Sequence, residues 1–347
     1  MPRILTASTA AAGARRRFLA TALRAGRALP ALLLAGLAAA PAAPALAADA
    51  YPSRPIRLVV PYPPGGATDI IARTLAPELS RLLGQPAVVE NRGGGVSVIG
   101  TDIVARAEPD GYTLLMSDQA LMTNPALQTH LPYDTLKDLA PVALIGPAPS
   151  VLLVHPSLPV HNIQELIALA KASPDTLQYA SSGNGTSTHI AGEVLKQVAG
   201  IKMAHIPYRG AGPALTDVMG GHVPILVTSI GPALPMIQSG KLRPIDVSST
   251  QRSPALPDVP SRAEEGLPEA VATGYWGVLA PAGVPDEVIG KLNGAFNQII
   301  QLPEIREKLI SLGVDPTGGS AQQFGDILNQ EIPKMRQIIT SAGITID

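Results

Sequence analysis

Two loops of the chain combine glycines with hydroxyl residues immediately before a predicted helix. The first reads VVPYPPGGATD at residues 59–69, and the second reads YASSGNGTSTH at residues 179–189. Glycines let the backbone approach a ligand closely, and the free N–H groups at a helix start attract a negative charge. The pattern predicts two anion-binding loops. The simpler interpretation is that Thr68 and Ser187 only begin their helices.

Two further helix starts have a related form, at residues 208–213 (YRGAGP) and 228–232 (TSIGP). Each places a proline at the predicted first helical position, where its missing N–H costs nothing. Here Tyr208 is a candidate wall of a cleft, and Ser229 is a candidate donor to a carboxylate. Arg209 is either an exposed surface residue or the partner of an acidic ligand.

Three titratable residues beside the loops have two interpretations each. Asp69 is predicted to cap the first helix, with a ligand amine or an ordered water as the alternative partner. His189 and Glu193 lie four residues apart, a spacing that permits metal ligation. Because no third ligand is visible, we predict an ordinary polar surface pair and no metal site.

The motifs of common enzyme classes are missing. The sequence has no cysteine, and its six histidines are scattered without an HExxH pattern. It also lacks a G-x-S-x-G elbow, a phosphate-binding GK[ST] loop and a G-x-G-x-x-G opening. Only Ser187 and His189 resemble a nucleophile and base, so a hydrolase or isomerase is an alternative. No cofactor is predicted.

Short strands alternate with helices along most of the chain, which predicts parallel βαβ units and an α/β fold. Two such series are joined by extended segments near 142–154 and 272–280, so we expect two lobes linked by two crossover strands. The predicted lobes are residues 48–150 plus 273–347, to which the C-terminal helices return, and residues 151–272. No element is predicted between the strand at 112–116 and the one at 142–145.

The first 47 residues have the pattern of an export signal. Six arginines and no acid precede the apolar run at residues 28–37, and small residues lead to Ala47. The segment RRRFL at residues 15–19 fits a twin-arginine signal as well as a general secretory one. The apolar run is too short for a membrane anchor. The remaining chain is acidic, which argues against binding nucleic acid.

The order of short motifs along the chain resembles one known family. These motifs are GGATD at 65–69, VENR at 89–92, PDGYTL at 109–114, LPYD at 131–134, GNGT at 183–186, PYRG at 207–210, GPALTD at 212–217, RSPALPDVP at 252–260 and LAPAG at 279–283. Together they resemble the Bug-type extracytoplasmic solute receptors of tripartite tricarboxylate transporters. The resemblance covers residues 51–347.

The resemblance implies a two-lobed periplasmic binding protein of type II, the Venus-flytrap fold, that is not an enzyme. It implies a receptor that binds a small carboxylate, such as an acidic amino acid, a di- or tricarboxylate or an aromatic acid, and delivers it to membrane permease subunits. Nothing in the sequence demands more than a monomer, so we expect a monomer. A sensor that presents the ligand to a signalling receptor is the alternative. Carried over by motif, the ligand-binding residues are Pro64, Gly65, Gly66, Thr68, Asp69, Ser181, Gly185, Thr186 and Ser187, with Tyr208 and Ser229 as further candidates.

Three positions depart from the family pattern or vary within it. Val96 replaces a glycine in the loop after Arg92, and Pro224 stands where an acid is common. Gln119 lies in a variable segment after the third strand and is a candidate ligand contact. These positions leave the identity of the ligand open.

Overall fold

A computed structural model describes residues 51–174 and 176–345, so the predicted export signal at residues 1–47 lies outside the described residues. The described chain contains two five-stranded sheets. The first sheet has the strand order β2-β1-β3-β10-β4. Its strands are β1 (Ile56–Val60), β2 (Ala87–Asn91), β3 (Thr113–Ser117), β4 (Leu139–Ala148) and β10 (Gly274–Pro281).

The second sheet has the order β7-β6-β8-β5-β9. Its strands are β5 (Ser150–Val154), β6 (Gln178–Ser181), β7 (Ala204–Pro207), β8 (Ile225–Ser229) and β9 (Arg243–Val247). Within each sheet a parallel core carries the βαβ units. β1 pairs in parallel with β2 and β3, and β6 pairs in parallel with β7 and β8.

The chain passes between the sheets twice, as the sequence predicts. Only Pro149 separates β4 from β5, and the return runs from β9 to β10 through residues 248–273. The crossing strands are antiparallel to their neighbours: β10 to β3 and β4, and β5 to β8 and β9. The expectation of parallel units therefore holds for the βαβ units, whereas each whole sheet is mixed. The chain folds into the two-lobed α/β architecture.

The sequence predicts the first strand at residues 56–60 and helices at residues 69–83, 99–107, 162–172, 188–198, 213–219, 232–238, 285–301, 304–312 and 321–341. The helices lie close to these predicted positions. They are α1 (Ala67–Leu83), α2 (Val98–Ala105), α3 (Ala120–Leu127), α4 (Ile163–Ala172), α5 (Ser187–Ala199), α6 (Ala211–Met219), α7 (Ile230–Gln238), α8 (Asp286–Ile299), α9 (Pro303–Ser311) and α10 (Ala321–Ser341). The helix α3 is not predicted from the sequence. Its sequence ALMTNPAL is apolar on all sides and contains a proline, so it has no helical periodicity.

Apolar side chains at helical spacing attach the helices to the sheets. In α1, Ile71, Leu75 and Leu79 are fully buried in a cluster that also holds β1 and Phe296 of α8. α8 and α10 both contact β4, so the C-terminal helices return to the first sheet as predicted.

The second sheet contains one fully buried ion pair. Arg262 donates from Nε to Asp246 of β9 at 2.6 Å, and both side chains are inaccessible to solvent. Arg262 also donates to the carbonyl oxygens of Ala191 and Ala270. The pair thus ties the return crossing to α5. Among the described residues, we find no helix that is both long and apolar enough to cross a membrane.

Candidate functional site

A cavity of about 440 Å³ lies between the loops of the two sheets. The first sheet's side supplies Ala67, Ile70, Asp118, Gln119, Ala148, Gly274 and Trp276. The second sheet's side supplies Ser187, Ser229, Gly231 and Pro232, and the end of α9 adds residues 311–313. Since parallel strands β1 and β6 both point toward it, the cavity occupies the place where open α/β sheets bind ligands.

A second hollow of about 420 Å³ adjoins this cavity and shares Ala67, Asp118 and Trp276 with it. We call this hollow the mouth. It is further lined by Tyr62, Pro63, Pro64, Gly66 and Thr68. The predicted residues Pro64, Gly66 and Thr68 therefore lie at the mouth, while Gln119, Ser187 and Ser229 line the cavity itself.

The prediction that Asp69 caps the first helix is wrong, because Asp69 lies within the first turn of α1 and the cap position is Gly66. Asp69 instead holds the first loop in shape, and it does not line the cavity or the mouth. Its carboxylate accepts hydrogen bonds from Gly65 N at 2.9 Å, Asn91 Nδ2 at 2.9 Å and Arg73 Nε at 3.0 Å. Burial acts to raise the pKa of Asp69, but the bonds from Arg73, Gly65 and Asn91 outweigh it and leave the pKa below its usual range. Gly65, at φ +93°, is the turn that this bond fixes.

Two helices begin at the cavity without a side-chain cap. α1 follows Gly66, and α7 follows Ser229, and neither cap residue makes a side-chain hydrogen bond to its helix. The first N–H groups of α1 are therefore left without a side-chain acceptor, as are those of Ile230 and Gly231 in α7. Pro232 has no N–H, and it is the third residue of α7, as Pro213 is of α6, and not the predicted first one. The dipoles of both α1 and α7 favour a negative charge at the cavity. Ser187, the first residue of α5, adds a third helix start.

Most of the predicted ligand-binding residues of the second loop form hydrogen bonds within the protein. Ser181 is fully buried, and its Oγ lies 2.6 Å from His205 Nε2. Thr186 caps α5, accepting from His189 N and donating to Gly183 O at 2.7 Å. Gly185 donates to His189 Nδ1 at 3.2 Å. Of the second-loop residues, only Ser187 is among the described residues that line the cavity.

The prediction of a surface pair for His189 and Glu193 is wrong. Both are more than nine-tenths buried, and Glu193 accepts from Tyr179 OH at 2.6 Å and Lys196 Nζ at 2.8 Å. His189 stacks on His205 with ring centroids 3.8 Å apart. The sequence could not reveal this pairing, because β7 brings His205 beside α5. No metal-binding group of three such residues occurs in the part of the chain that the structure describes.

Tyr208 and Arg209 lie away from the cavity. The Tyr208 hydroxyl donates to Asp217 of α6, and the Tyr208 side chain packs against the core of the second sheet. Burial and Asp217 together raise the pKa of Tyr208 to about 12. Arg209 is exposed, which agrees with its simpler interpretation as a surface residue.

Three residues line both the cavity and its mouth without being predicted from the sequence, namely Ala67, Asp118 and Trp276. Trp276 is the chain's one tryptophan, and its place in a strand beside a crossing was the signal that could have found it. Asp118 stands directly after β3, where a polar residue at the end of a parallel strand often faces a ligand site.

A larger groove of about 800 Å³ lies elsewhere, between α3, α10 and residues 131–136. It contains none of the predicted site residues and no residue of the second sheet. The cavity between the sheets is therefore the candidate site.

Residues 71–344 match the sequence model of a family described as the tripartite tricarboxylate transporter family receptor. The chain belongs to this receptor family. Protein BugT of Bordetella pertussis is 38% identical over 298 residues, covering 85% of this chain and 91% of that protein. The match to the family model covers residues of both sheets and includes every strand of the fold except β1, which precedes residue 71.

Solved structures of similar receptors share the fold. The R. palustris protein Rpa4515 with adipate is 32% identical with a TM-score of 0.71, covering 85% of this chain and all of that one. MatC (Rpa3494) from Rhodopseudomonas palustris with bound malate is 30% identical with a TM-score of 0.67, covering 83% of this chain and all of that one. The predicted family and fold class are therefore confirmed.

Proposed function

We propose that this receptor binds a small carboxylate in the cavity between its sheets and delivers it to the membrane permease of a tripartite tricarboxylate transporter. The observation that carries the proposal is the pair of uncapped helix starts, at α1 and α7, on one cavity. Their free N–H groups and dipoles form an anion site without any cationic side chain.

The size of the cavity and the similar receptors support this ligand class. A volume of about 440 Å³ falls within the range of small-molecule pockets. Two of the similar proteins hold adipate and malate, which are both small dicarboxylates. The twelve predicted ligand-binding residues remain predictions, of which those that line the cavity or mouth have the geometric support.

The receptor works, in this proposal, as an exported periplasmic monomer with two lobes. The proposed lobes are residues 48–150 plus 273–347 and residues 151–272, and the sheet crossings at Pro149 and before Gly274 support these limits. A ligand held from both sides favours the closed arrangement by its greater affinity for it.

Binding is tested by a thermal-shift and calorimetry screen of carboxylates against their amides, on protein unfolded and refolded to remove carried-over ligand. A ligand at about 100 times its Kd adds about 2.7 kcal/mol of stability. We expect shifts of several degrees from some carboxylates and none from their amides. A flat screen across mono-, di- and tricarboxylates, amino acids and aromatic acids would contradict the proposal.

A matched pair of variants locates the binding site. Ala67→Asp places a carboxylate at the first residue of α1, on the cavity, and we expect it to abolish binding. Ala211→Asp places the same group at the first residue of α6, which is not among the described lining residues. Both changes favour their helices, so only the first should remove the thermal shift. Equal losses in both variants would place the ligand elsewhere.

Closure is tested by small-angle scattering with and without saturating ligand. We expect the radius of gyration to fall when the ligand binds, and an unchanged radius would argue against lobe closure. Transport is tested by uptake of labelled ligand in cells that lack the receptor gene, which should be restored only by the wild-type chain.

The receptor is also proposed not to transform its ligand. His189 bonds with Gly185 and faces Glu193, and no hydrogen bond joins it to Ser187 among the described residues. A base without contact to its nucleophile lacks the geometry for acyl transfer. Recovery of chemically unchanged ligand by mass spectrometry after long incubation is the expected result.

A further inference from the structure

Asp118 brings a carboxylate into a site that is otherwise built for an anion. It follows β3 and lines both the cavity and its mouth. Tyr62 OH and Ala120 N donate to it, each at 3.0 Å, and both bonds end on Oδ1. Its Oδ2 receives no hydrogen bond from the described residues. One oxygen of Asp118 is thus left available for a ligand.

A second acceptor stands beside Asp118. Gln119 is nine-tenths buried and lines the same cavity, yet its Oε1 has no hydrogen-bond partner among the described residues. This amide lies against β10, where a Cβ on Gly274 would come within 2.5 Å of Oε1. A buried acceptor without a partner costs stability unless a ligand or water supplies a donor. Asp118 therefore leaves one acceptor oxygen without a donor, and Gln119 leaves a second, buried one against β10.

The groups that line the cavity and its mouth differ in what they attract. The helix starts of α1 and α7 attract a carboxylate, whereas Asp118 and Gln119 attract a hydrogen-bond donor. Ile70 and Trp276 supply apolar surface on the same cavity. No lysine, arginine or histidine is among the described residues that line the cavity or its mouth. A second ligand carboxylate near Asp118 would meet a like charge without a compensating cation.

We propose that Asp118 and Gln119 make this receptor selective for ligands that carry one carboxylate and a separate hydrogen-bond donor, either ammonium or hydroxyl. Dicarboxylates of the same length are disfavoured by repulsion from Asp118. This inference rests on the proposed function, since it assumes that the helix starts hold the first carboxylate. It separates this chain from the similar receptors that hold adipate and malate.

The simpler role for Asp118 is structural, because its bond to Ala120 N caps α3 and its bond from Tyr62 fixes the first loop. Burial raises the pKa of the Asp118 carboxyl, although the hydrogen bond from Tyr62 acts in the opposite direction. Asp118→Asn keeps Oδ1 for both bonds, removes the charge and replaces Oδ2 with an amide NH2 group, which can donate to a hydroxyl or a carboxylate but not to an ammonium. This variant therefore tests selectivity without removing the cap.

The test measures Kd by calorimetry for matched ligands that share a backbone and differ only at one end. For the six-carbon chain these are adipate, 6-hydroxyhexanoate, 6-aminohexanoate and hexanoate. Equivalent sets on four-carbon and para-substituted benzene backbones cover other lengths. In the wild-type protein we expect the amino or hydroxy acid of the best backbone to bind at least about tenfold more tightly than the dicarboxylate.

Asp118→Asn distinguishes the two donors. We expect this variant to bind the amino acid about tenfold more weakly and the dicarboxylate about tenfold more tightly than the wild type does. The Kd of the hydroxy acid should change by less than about threefold. Asp102→Asn is the matched control, since Asp102 pairs with Arg106 on α2 and does not line the cavity. It removes the same charge and should leave every Kd unchanged.

The possible outcomes distinguish a failure of the proposed selectivity from a failure of the proposed receptor function. If the dicarboxylate binds as tightly as the amino and hydroxy acids, and Asp118→Asn leaves their ratio unchanged, the selectivity is overturned and the carboxylate receptor stands. If Asp118→Asn lowers the melting temperature and weakens all ligands equally, Asp118 is structural only. If no ligand of any set binds, the proposed function fails and the inference with it.

Discussion

The two glycine-hydroxyl loops have the same sequence pattern and are used in different ways. The first loop, residues 59–69, presents Pro64, Gly66 and Thr68 to the mouth and is held in shape by Asp69. The second loop, residues 179–189, forms hydrogen bonds within itself and with His205, and of its residues only Ser187 lines the cavity. One loop therefore contacts the ligand space, and the other chiefly supports the start of α5.

The difference lies in where the hydroxyl groups find partners. In the second loop Ser181 and Thr186 are hydrogen-bonded within the protein, and Thr186 supplies the cap that α1 and α7 lack. A capped helix start has fewer free N–H groups for a ligand. The bare starts of α1 and α7 are therefore the stronger anion sites, and the second loop contributes mainly rigidity.

The largest effect is expected from removing the brace of the first loop. Asp69→Ala leaves Gly65 N without an acceptor, removes one of the two acceptors of Asn91 Nδ2 and deprives Arg73 of its ion pair. We expect it to lower the free energy of unfolding by about 3 kcal/mol, measured by urea denaturation, and to abolish ligand binding. Glu78→Ala is the control on the same helix, where the pair with exposed Arg81 contributes less than about 1 kcal/mol.

An equal effect of both substitutions would show that Asp69 contributes only helix-surface charge. Lost stability with unchanged affinity would show that the first loop does not shape the ligand site. Either result would show that the first loop does not shape the ligand site in the way that its hydrogen bonds imply.

Much of the fold follows from the sequence alone. Strands such as 56–60 and helices such as 321–341 were predicted at their observed limits or nearly so, because their apolar residues follow the periods of a strand or a helix. The two crossings were also predicted. α3 was not, because its apolar residues and its internal proline give no periodic signal.

The site was only partly predictable, for a different reason. Helix starts are local, so the pattern found Gly66, Ser187 and Ser229. Whether a hydroxyl is free depends on residues distant in sequence, such as His205 beside Ser181 or Asp217 beside Tyr208. Trp276 and Asp118 reach the cavity only through the pairing of β10 with β3, which no local pattern reveals.

An alanine substitution should destabilise the protein more at Gly65, in the turn of the first loop, than at the neighbouring Gly66. Gly65 has φ +93°, a conformation that strains any side chain, whereas Gly66 has φ −78° and open space around a new Cβ. We expect Gly65→Ala to cost about 1–2 kcal/mol of unfolding free energy. Gly66→Ala should change it by less than about 0.5 kcal/mol or stabilise slightly. Equal values in chemical denaturation would contradict the turn assigned to Gly65.

Substitutions at two adjacent residues of the second loop should have different effects, one on stability and the other on ligand affinity. Thr186→Val removes the cap of α5 and should cost about 1 kcal/mol of stability, while leaving ligand affinity within about threefold. Ser187→Ala keeps the cap and removes a hydroxyl from the cavity, so it should weaken binding with little change in melting temperature. The reverse assignment, with Thr186 controlling affinity, would mean that the second loop contacts the ligand directly.

The smallest expected effect is a difference in how the two loops respond to acid. Burial and His189 lower the pKa of His205 to about 4, so between that value and the unfolded value of about 6.5 the unfolded chain binds the extra proton. The contribution of the second loop should thus decline as the pH falls from 6.5 toward 4. The lowered pKa of Asp69 keeps the first loop intact over this range, since its contribution declines only below the ordinary value near 3.8.

Chemical denaturation at pH 7 and pH 5 measures this difference in His205→Gln against the wild type. Because His205 is partly exposed, we expect the pH-dependent part to be below about 1 kcal/mol. Asp315, whose pKa burial raises to about 6, contributes the opposite slope in the same window, so only the difference between variant and wild type is informative. His161→Gln, at an exposed histidine on Glu165, is the control. A pH dependence that His205→Gln leaves unchanged would assign the acid response to groups outside the second loop.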